Sequence, residues 1–413
     1  MQIIPRNITR IKFRRFKQIA FTLWLILNLY VLKFTAFIFK IFLKPTVLRK
    51  NKTILYFENF PIENSGYQYR AFKWCKKLNN YGYYAKVITT NYRKSKYDFE
   101  YMNVNLYLVK CMWMRFVQIC KSRKYEFVIV RRELLLYNDY GNLFMDKFLL
   151  HFHPNAILDI DDDIAAAKKE PRILNGFMSR ILEEHPSKFT ETLNIYNSKI
   201  VVSSYLKKRI EKITGNKKSK IHVIPTCVDY NNYKSKKYET KDFFTLGWIG
   251  GNQNYFLLDS LLPQLQKLKK RYNFELLVIG GNKYMRNVSF PIRFLNWNLN
   301  TEVNNILKID IGLMPLEESD TSKGKGGFKL IQYMGLGIVS IASDITINKE
   351  IVKHEKNSFL ASGPQDWYNT IEKILLNKID MAKMGIEAKK QISRKYSFDA
   401  NIEKYLILFN SNA

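Results

Sequence analysis

Cysteine is scarce in this chain of 413 residues: Cys75, Cys111, Cys120 and Cys227 are the whole set, and none forms a CxxC pair. That excludes a disulfide scaffold and a clustered thiolate metal site, and it reads as free thiols in a reducing compartment. Histidine is almost as sparse, at five residues. His151 and His153 are only two apart, but such a pair is more often structural than metal-binding. There is no zinc-finger or RNA-binding-domain signature and no arginine-rich tract, so a net charge of +31 does not point to nucleic acid. Acidic residues are missing altogether from the first 52 positions, which carry a dozen Lys and Arg. Basic charge on both sides of an apolar run favours an anionic membrane surface. The plain alternative is a compositional bias toward Lys, Asn, Ile and Tyr.

The apolar run is IAFTLWLILNLYVLKFTAFIFKIFL, residues 19–43. It is long for a signal peptide, and no small-residue cleavage site follows it. Its length would span a bilayer. A span would put Lys33 near the middle of the membrane, at a cost of about 2.5–3.5 kcal/mol. Lys33 and Lys40 are seven apart and share a helical face. The expectation is therefore a helix lying in the interface with its lysines toward the headgroups, peripheral or monotopic through residues 18–43. Basic residues flank the run on both sides, so the positive-inside rule gives no orientation. The removal of residues 1–50 is expected to leave a soluble, folded body.

From Thr53 onward, short apolar runs alternate with helical patterns. TILYFEN, YAKVITT, EFVIVR, AILDID, KIVVSS and KIHVIPT fill the first half. A polar stretch at 229–242 reads as a linker. FTLGWIG, FELLVIG, IRFLNW, DIGLMP, IVSIAS and NSFLAS then repeat the alternation. With 46% hydrophobic and 25% charged residues the chain can bury real cores. Strands joined by helices imply parallel sheets covered on both faces. The fold class is thus α/β: two Rossmann-like doubly wound domains facing a cleft, after an N-terminal membrane-associating helix. The expected division is 1–50, 51–240, 241–395 and a last helix at 396–413.

Ligands of such sheets bind outside the carboxyl ends of the strands. The most informative segment there is SKGKGGFKLIQYMGLG at 322–337. Glycines before a helix let backbone amides approach an anion. Lys325 and Lys329 oppose the helix dipole unless something anionic is bound. Gln332 follows on the same face as Lys329. Gly250, Gly251 and Asn252 form a phosphate-cradling type of turn after a strand, although not a GxGxxG. Gly280 and Gly281 end the next strand, and Trp297 could border a base. In the first half, Ser65, Gly66, Arg70 and Arg132 are candidate acceptor contacts. Asp159, Asp161, Asp162 and Asp163 cluster at a strand end. A metal, a sugar hydroxyl or pairing with Arg131 or Arg132 would each account for them.

GWIGG, LLVIGG, DIGLMPL, KGKGGFKLIQYMGLG and NKEIV stand in the order found in family-four (group 1) glycosyltransferases of the GT-B fold, which the chain resembles over residues 53–410. VVSSYLKKRI and HVIPTCVDYNNY fit the end of that family's first domain. The resemblance implies retention of configuration, a nucleotide-sugar donor in the second domain and an acceptor in the first, with no metal or other cofactor. Two departures stand out. The family's donor-site glutamates, eight apart, fall on Gly324 and Gln332, and its basic pair is missing from GGNQN. The resemblance places donor contacts at Gly250, Gly251, Asn252, Gly280, Gly281, Trp297, Lys325, Gly326, Gly327, Phe328 and Gln332. Asp162 and Lys329 are the expected catalytic pair. The partners implied are a nucleotide sugar, a glycan or lipid-linked acceptor and an anionic membrane at the cytoplasmic face, with no nucleic acid. Two rivals are a metal-dependent GT-A enzyme using Asp159-Ile-Asp161 as a DxD and a non-catalytic membrane- or polyanion-binding homologue.

Overall fold

The structure is a computed structural model that describes residues 6–43, 51–90, 103–135, 143–163, 188–215, 219–239, 242–281 and 284–411. Two six-stranded parallel sheets organise it. The first contains β1 (Thr53–Glu58), β2 (Tyr84–Thr89), β3 (Phe127–Arg131), β4 (Ile157–Ile160), β5 (Ser198–Val201) and β6 (Lys220–Val223), in the order β2-β1-β3-β4-β5-β6. The second contains β7 (Phe244–Ile249), β8 (Phe274–Ile279), β9 (Ile292–Leu295), β10 (Ile311–Met314), β11 (Val339–Ser343) and β12 (Phe359–Ala361), in the order β12-β11-β10-β7-β8-β9. That second order is the doubly wound arrangement, which reverses beside its first strand and opens a crevice there. Every expected strand is present. Most end one or two residues earlier than their apolar runs, because the terminal residues turn out of the sheet into the cleft loops.

The polar stretch after β6 is packed rather than loose. Tyr233 is buried, and Lys236 pairs with the buried Asp310 at 2.8 Å. The Tyr238 hydroxyl accepts from the Val339 amide at 2.8 Å. The final helix, Phe398–Asn410, returns to the first domain. Its Phe398 and Tyr405 rings pack on Trp74 at 4.8 and 4.3 Å, and Phe409 lies 4.7 Å from Phe127. The chain thus crosses the cleft twice, which ties the two domains together at one end.

The N-terminal helix, Arg6–Phe42, carries two apolar stripes. Leu25, Leu29, Leu32 and Ala36 are buried in the first domain's core, among Met112, Phe116 and Phe148. Phe39 meets Phe116 edge-on at 5.4 Å, and Trp113 Nε1 donates to Asn28 Oδ1 at 3.2 Å. The opposite stripe, Leu23, Leu27, Tyr30, Phe34, Phe37 and Ile41, is exposed. The Lys33 ammonium lies between the outer stripe and the flank of the domain, 5.8 Å from the Tyr30 ring and 5.3 Å from the Phe144 ring. Lys44, Arg49 and Lys50 of the basic flank lie outside the described residues.

This geometry corrects the expectation that residues 1–50 are dispensable for folding. Their removal uncovers the apolar surface that Leu25, Leu29 and Leu32 now cover. Leu32→Ala is expected to destabilise the first domain by about 2–5 kcal/mol. Leu27→Ala, on the outer stripe, should fall within about 0.5 kcal/mol of the parent. Denaturant unfolding of the two variants in the same detergent compares them, and equal midpoints would show that the helix is a mere tether.

Candidate active site

The carboxyl ends of β7 and β8 turn on glycine pairs. The Gly250 amide donates to Ile279 O at 2.9 Å, and the Gly280 amide donates to Leu295 O at 2.9 Å. Gly280 has φ +113°, and a Cβ there would stand 2.5 Å from Gly250 O. Only glycine lets these two turns lie backbone to backbone. Asn252 and Gly281 adjoin each other at the mouth, where a Cβ on Gly281 would collide with Asn252 Oδ1. Facing them is the helix Phe328–Gly335, opened by Gly327 in the left-handed region at φ +66°. Lys329 projects from its first turn over the Trp248 ring at 4.2 Å, and a Cβ on Gly250 would lie 2.7 Å from its Nζ. Among the described residues no carboxylate pairs with Lys329. Burial, with Lys325 adding repulsion, pushes its pKa down to about 7. Lys325 Nζ reaches Asn254 Oδ1 at 3.4 Å. Two lysines, first-turn amides and glycine turns thus converge on one point.

The first domain presents the opposite character, with its charges already paired. Arg70 is 1% exposed, salt-bridged to Asp159 and hydrogen-bonded to Ile224 O at 3.0 Å. It therefore cannot be the acceptor contact expected of it; its guanidinium supports the sheet. Arg131 bridges Glu58 at 2.9 Å and Asp161 at 2.7 Å, and Gly66 leaves room for that guanidinium. Arg132, at φ +62°, reaches Asp161 at 2.5 Å and Asp162 at 2.6 Å. Asp163 pairs with Arg209 at 3.2 Å. Each of the four aspartates of the acidic cluster thus pairs with an arginine. Burial works to raise the Asp161 pKa, but Arg131 and Arg132 outweigh it and hold the carboxyl well below its ordinary value. Asp162 is different: it lies among charges of both signs, with Asp161, Arg132 and Lys325 around it. Its side chain is also 47% exposed, so it alone of the four looks openly into the cleft.

The glycine loop closes the distance between the domains. A Cβ on Gly324 would meet Asp163 Cβ at 2.3 Å, and one on Gly326 would lie 3.3 Å from Val202. Lys325 is thereby carried to Asp162, whose charge it feels. Residues 243–377 match the family model of glycosyl transferases group 1. Over those residues the second domain is similar to that family. Solved structures extend the likeness to the whole fold. A sucrose-phosphate synthase from Thermosynechococcus elongatus has a TM-score of 0.62 at 11% identity, over 87% of this chain and 98% of that one. A glycosyltransferase from Rickettsia africae has 0.62 at 14%, over 88% and 99%. Anabaena HepE, in complex with UDP-glucose, has 0.55 at 12%, over 87% and 99%. At these identities the likeness establishes the two-domain GT-B fold. No curated sequence matches the chain. The single-domain GT-A rival falls with the fold, and both aspartates of its DxD are committed to arginines.

In the second domain Gly250, Gly251, Asn252, Gly280, Gly281, Lys325, Gly326, Gly327 and Lys329 come together. Two expected donor contacts do not open onto that point. Gln332 is 2% exposed and donates to Glu302 Oε1 at 2.8 Å. Trp297 Nε1 donates to the same oxygen at 2.9 Å. Phe328 lies tilted against Tyr69 of the first domain, centroids 4.6 Å apart. Ser65 is exposed at the start of the helical segment after β1. Glu302 and Tyr69 gave no signal in the sequence: Glu302 is a single acid in a polar run, and Tyr69 is one of 26 tyrosines.

A diphosphate beside Lys329 would restore its ordinary pKa, so binding takes up a proton. Affinity should be level below pH about 7 and fall as pH rises above it, by at most about tenfold per unit. Titration calorimetry with a nucleoside diphosphate measures this. The half-buried charge also costs stability below the unfolded pKa of lysine. Lys329→Met should therefore melt higher than the parent at pH 6, by a margin that closes toward pH 10. A lower melting temperature at pH 6 would mean that Lys329 has an anionic partner within the fold.

Proposed function

We propose that the protein transfers a glycosyl unit from a nucleotide-sugar donor, with retention of configuration, to a lipid-linked or cell-surface glycan acceptor. The observation that carries this reading is Lys329: a half-buried ammonium with no carboxylate partner among the described residues, set among the Gly250 and Gly280 turns and the first-turn amides of its helix. Such a site is built for an anion that arrives from outside. HepE, of the same fold, was solved with UDP-glucose, which agrees with a nucleoside diphosphate there.

In this mechanism Lys325 and Lys329 hold the diphosphate, and their contacts strengthen as negative charge builds on the leaving group. The acceptor hydroxyl enters on the face that the diphosphate vacates. Asp162, half exposed opposite Lys325, stands beside the reacting sugar and orients a hydroxyl. Arg132 keeps it in place. Ser65, Gly66 and Arg132 line the acceptor side. No metal is required, since lysines and amides carry the diphosphate charge and the nearby aspartates are occupied by Arg70, Arg131 and Arg132. The outer stripe of the N-terminal helix, Leu23 to Ile41, would rest in the headgroup region of the cytoplasmic face. It would hold the acceptor domain itself against the membrane, where a lipid-linked acceptor resides.

Transfer should survive EDTA, and Lys329→Ala should lower kcat/KM at least tenfold with the fold intact, because a charge-assisted contact contributes about 1.5–3 kcal/mol. Activity lost to EDTA and restored by Mn²⁺ would reverse the metal-free reading. A protein that binds no nucleotide sugar in a thermal-shift screen would instead be the non-catalytic homologue. Phe34→Glu with Phe37→Glu should release the chain from anionic vesicles in flotation while the melting temperature stays unchanged; continued flotation would place the membrane contact elsewhere.

A further inference from the structure

Trp248 is fully buried in β7, two residues before Gly250. Among the described residues its indole N–H has no acceptor. Packing alone gains nothing from such a group: a phenylalanine would bury an aromatic ring there without stranding a donor. What the indole does offer is its face. The Lys329 ammonium stands 4.2 Å from the ring centroid. Of the aromatic side chains, tryptophan attracts a cation most strongly.

The surroundings fix both partners of this contact. A Cβ on Gly250 would lie 2.3 Å from Trp248 Cη2 and 2.7 Å from Lys329 Nζ, so ring and ammonium occupy space that any other residue at 250 would take. The Tyr255 ring lies 5.6 Å from the indole, tilted by 54°, and the Tyr255 hydroxyl donates to Gly280 O at 3.0 Å. The indole is thus tied to both glycine turns. The Tyr333 hydroxyl, one helical turn beyond Lys329, accepts from the Ile249 amide at 2.9 Å. That bond sets the helix Phe328–Gly335 against the end of β7 and brings Lys329 over the ring. A lysine stem is long and flexible, and a half-buried ammonium with no carboxylate partner among the described residues would otherwise turn toward water. The ring face draws it inward and favours the charged form, against burial and Lys325, which lower its pKa.

We propose that Trp248 is a positioning residue, whose indole face holds the Lys329 ammonium in place for the diphosphate of the donor. The proposal rests on the nucleotide-sugar reading above. Trp248 is too deeply buried to meet a substrate, so its whole effect passes through Lys329. It also accounts for the stranded indole N–H: the lost hydrogen bond is offset by the contact that the larger ring makes with the cation.

The test separates this role from packing. UDP and inorganic pyrophosphate are titrated by calorimetry, from pH 6 to pH 9, against the full-length protein and the variants Trp248→Phe and Trp248→Leu. Phenylalanine offers the cation a weaker face and leucine none, so affinity above neutral pH should fall from parent to Trp248→Phe to Trp248→Leu, by about tenfold between the ends. The pH at which affinity begins to fall should move down in the same order, because the neutral amine gains. A residue that only packs predicts a loss equal at every pH and in step with the melting temperature, and that result overturns the proposal. In a Lys329→Met background Trp248→Phe should leave UDP affinity unchanged. The same loss in both backgrounds also overturns it. If Trp248→Leu does not fold, Trp248→Phe decides alone, and if Lys329→Met no longer binds UDP, the pH profile decides. A parent protein that binds neither compound would sink the nucleotide reading itself, which is a separate outcome.

Discussion

The arrangement depends on a half-buried cation that has no carboxylate partner among the described residues. Lys329 sits over Trp248, beside Gly250, and burial depresses its pKa to about 7. A helix start would by itself prefer an acidic residue there. The fold tolerates the opposite choice because the surrounding groups are placed for an anion: glycine turns on β7 and β8, first-turn amides and a second lysine at 325. Each of these features alone is common in doubly wound sheets. In the second domain they converge on one point.

The two halves of the cleft divide the electrostatics unequally. At its strand ends the first domain pairs its charges: Arg70 with Asp159, Arg131 with Glu58 and Asp161, Arg209 with Asp163. Its strand ends are thus a rigid, nearly balanced wall. The second domain leaves Lys329 uncompensated and brings Lys325 toward Asp162, the one partly exposed member of the acidic cluster. Loop 324–327 can approach that wall only because Gly324 and Gly326 have no side chains to strike Asp163 and Val202. Positioning across the cleft is therefore steric in origin.

The N-terminal helix couples location to fold. One stripe belongs to the first domain's core, and the other is exposed and apolar. A helix attached in this way holds the domain in a fixed attitude to whatever its outer stripe contacts, which a flexible tether cannot do. The final helix, packed on Trp74 and Phe127, makes the first domain depend on both ends of the chain.

The sequence by itself determined the twelve strands, the two sheets and the glycine-lysine segment of the donor side. These are encoded locally: β-branched runs set strands, and a glycine followed by an apolar-periodic stretch sets a loop and a helix start. It also marked the first helix as apolar beyond what a core requires. Tertiary structure alone decided which charges pair. Arg70 looked as available as Arg132 in the linear chain, and only the packing of β4 beside β3 put Asp159 in its reach. The same holds for Gln332, which packing turned from the cleft toward Glu302, and for Tyr69, brought against Phe328 from the other domain. Contacts between residues hundreds of positions apart leave no local pattern, because they depend on how two sheets face each other rather than on the period of either.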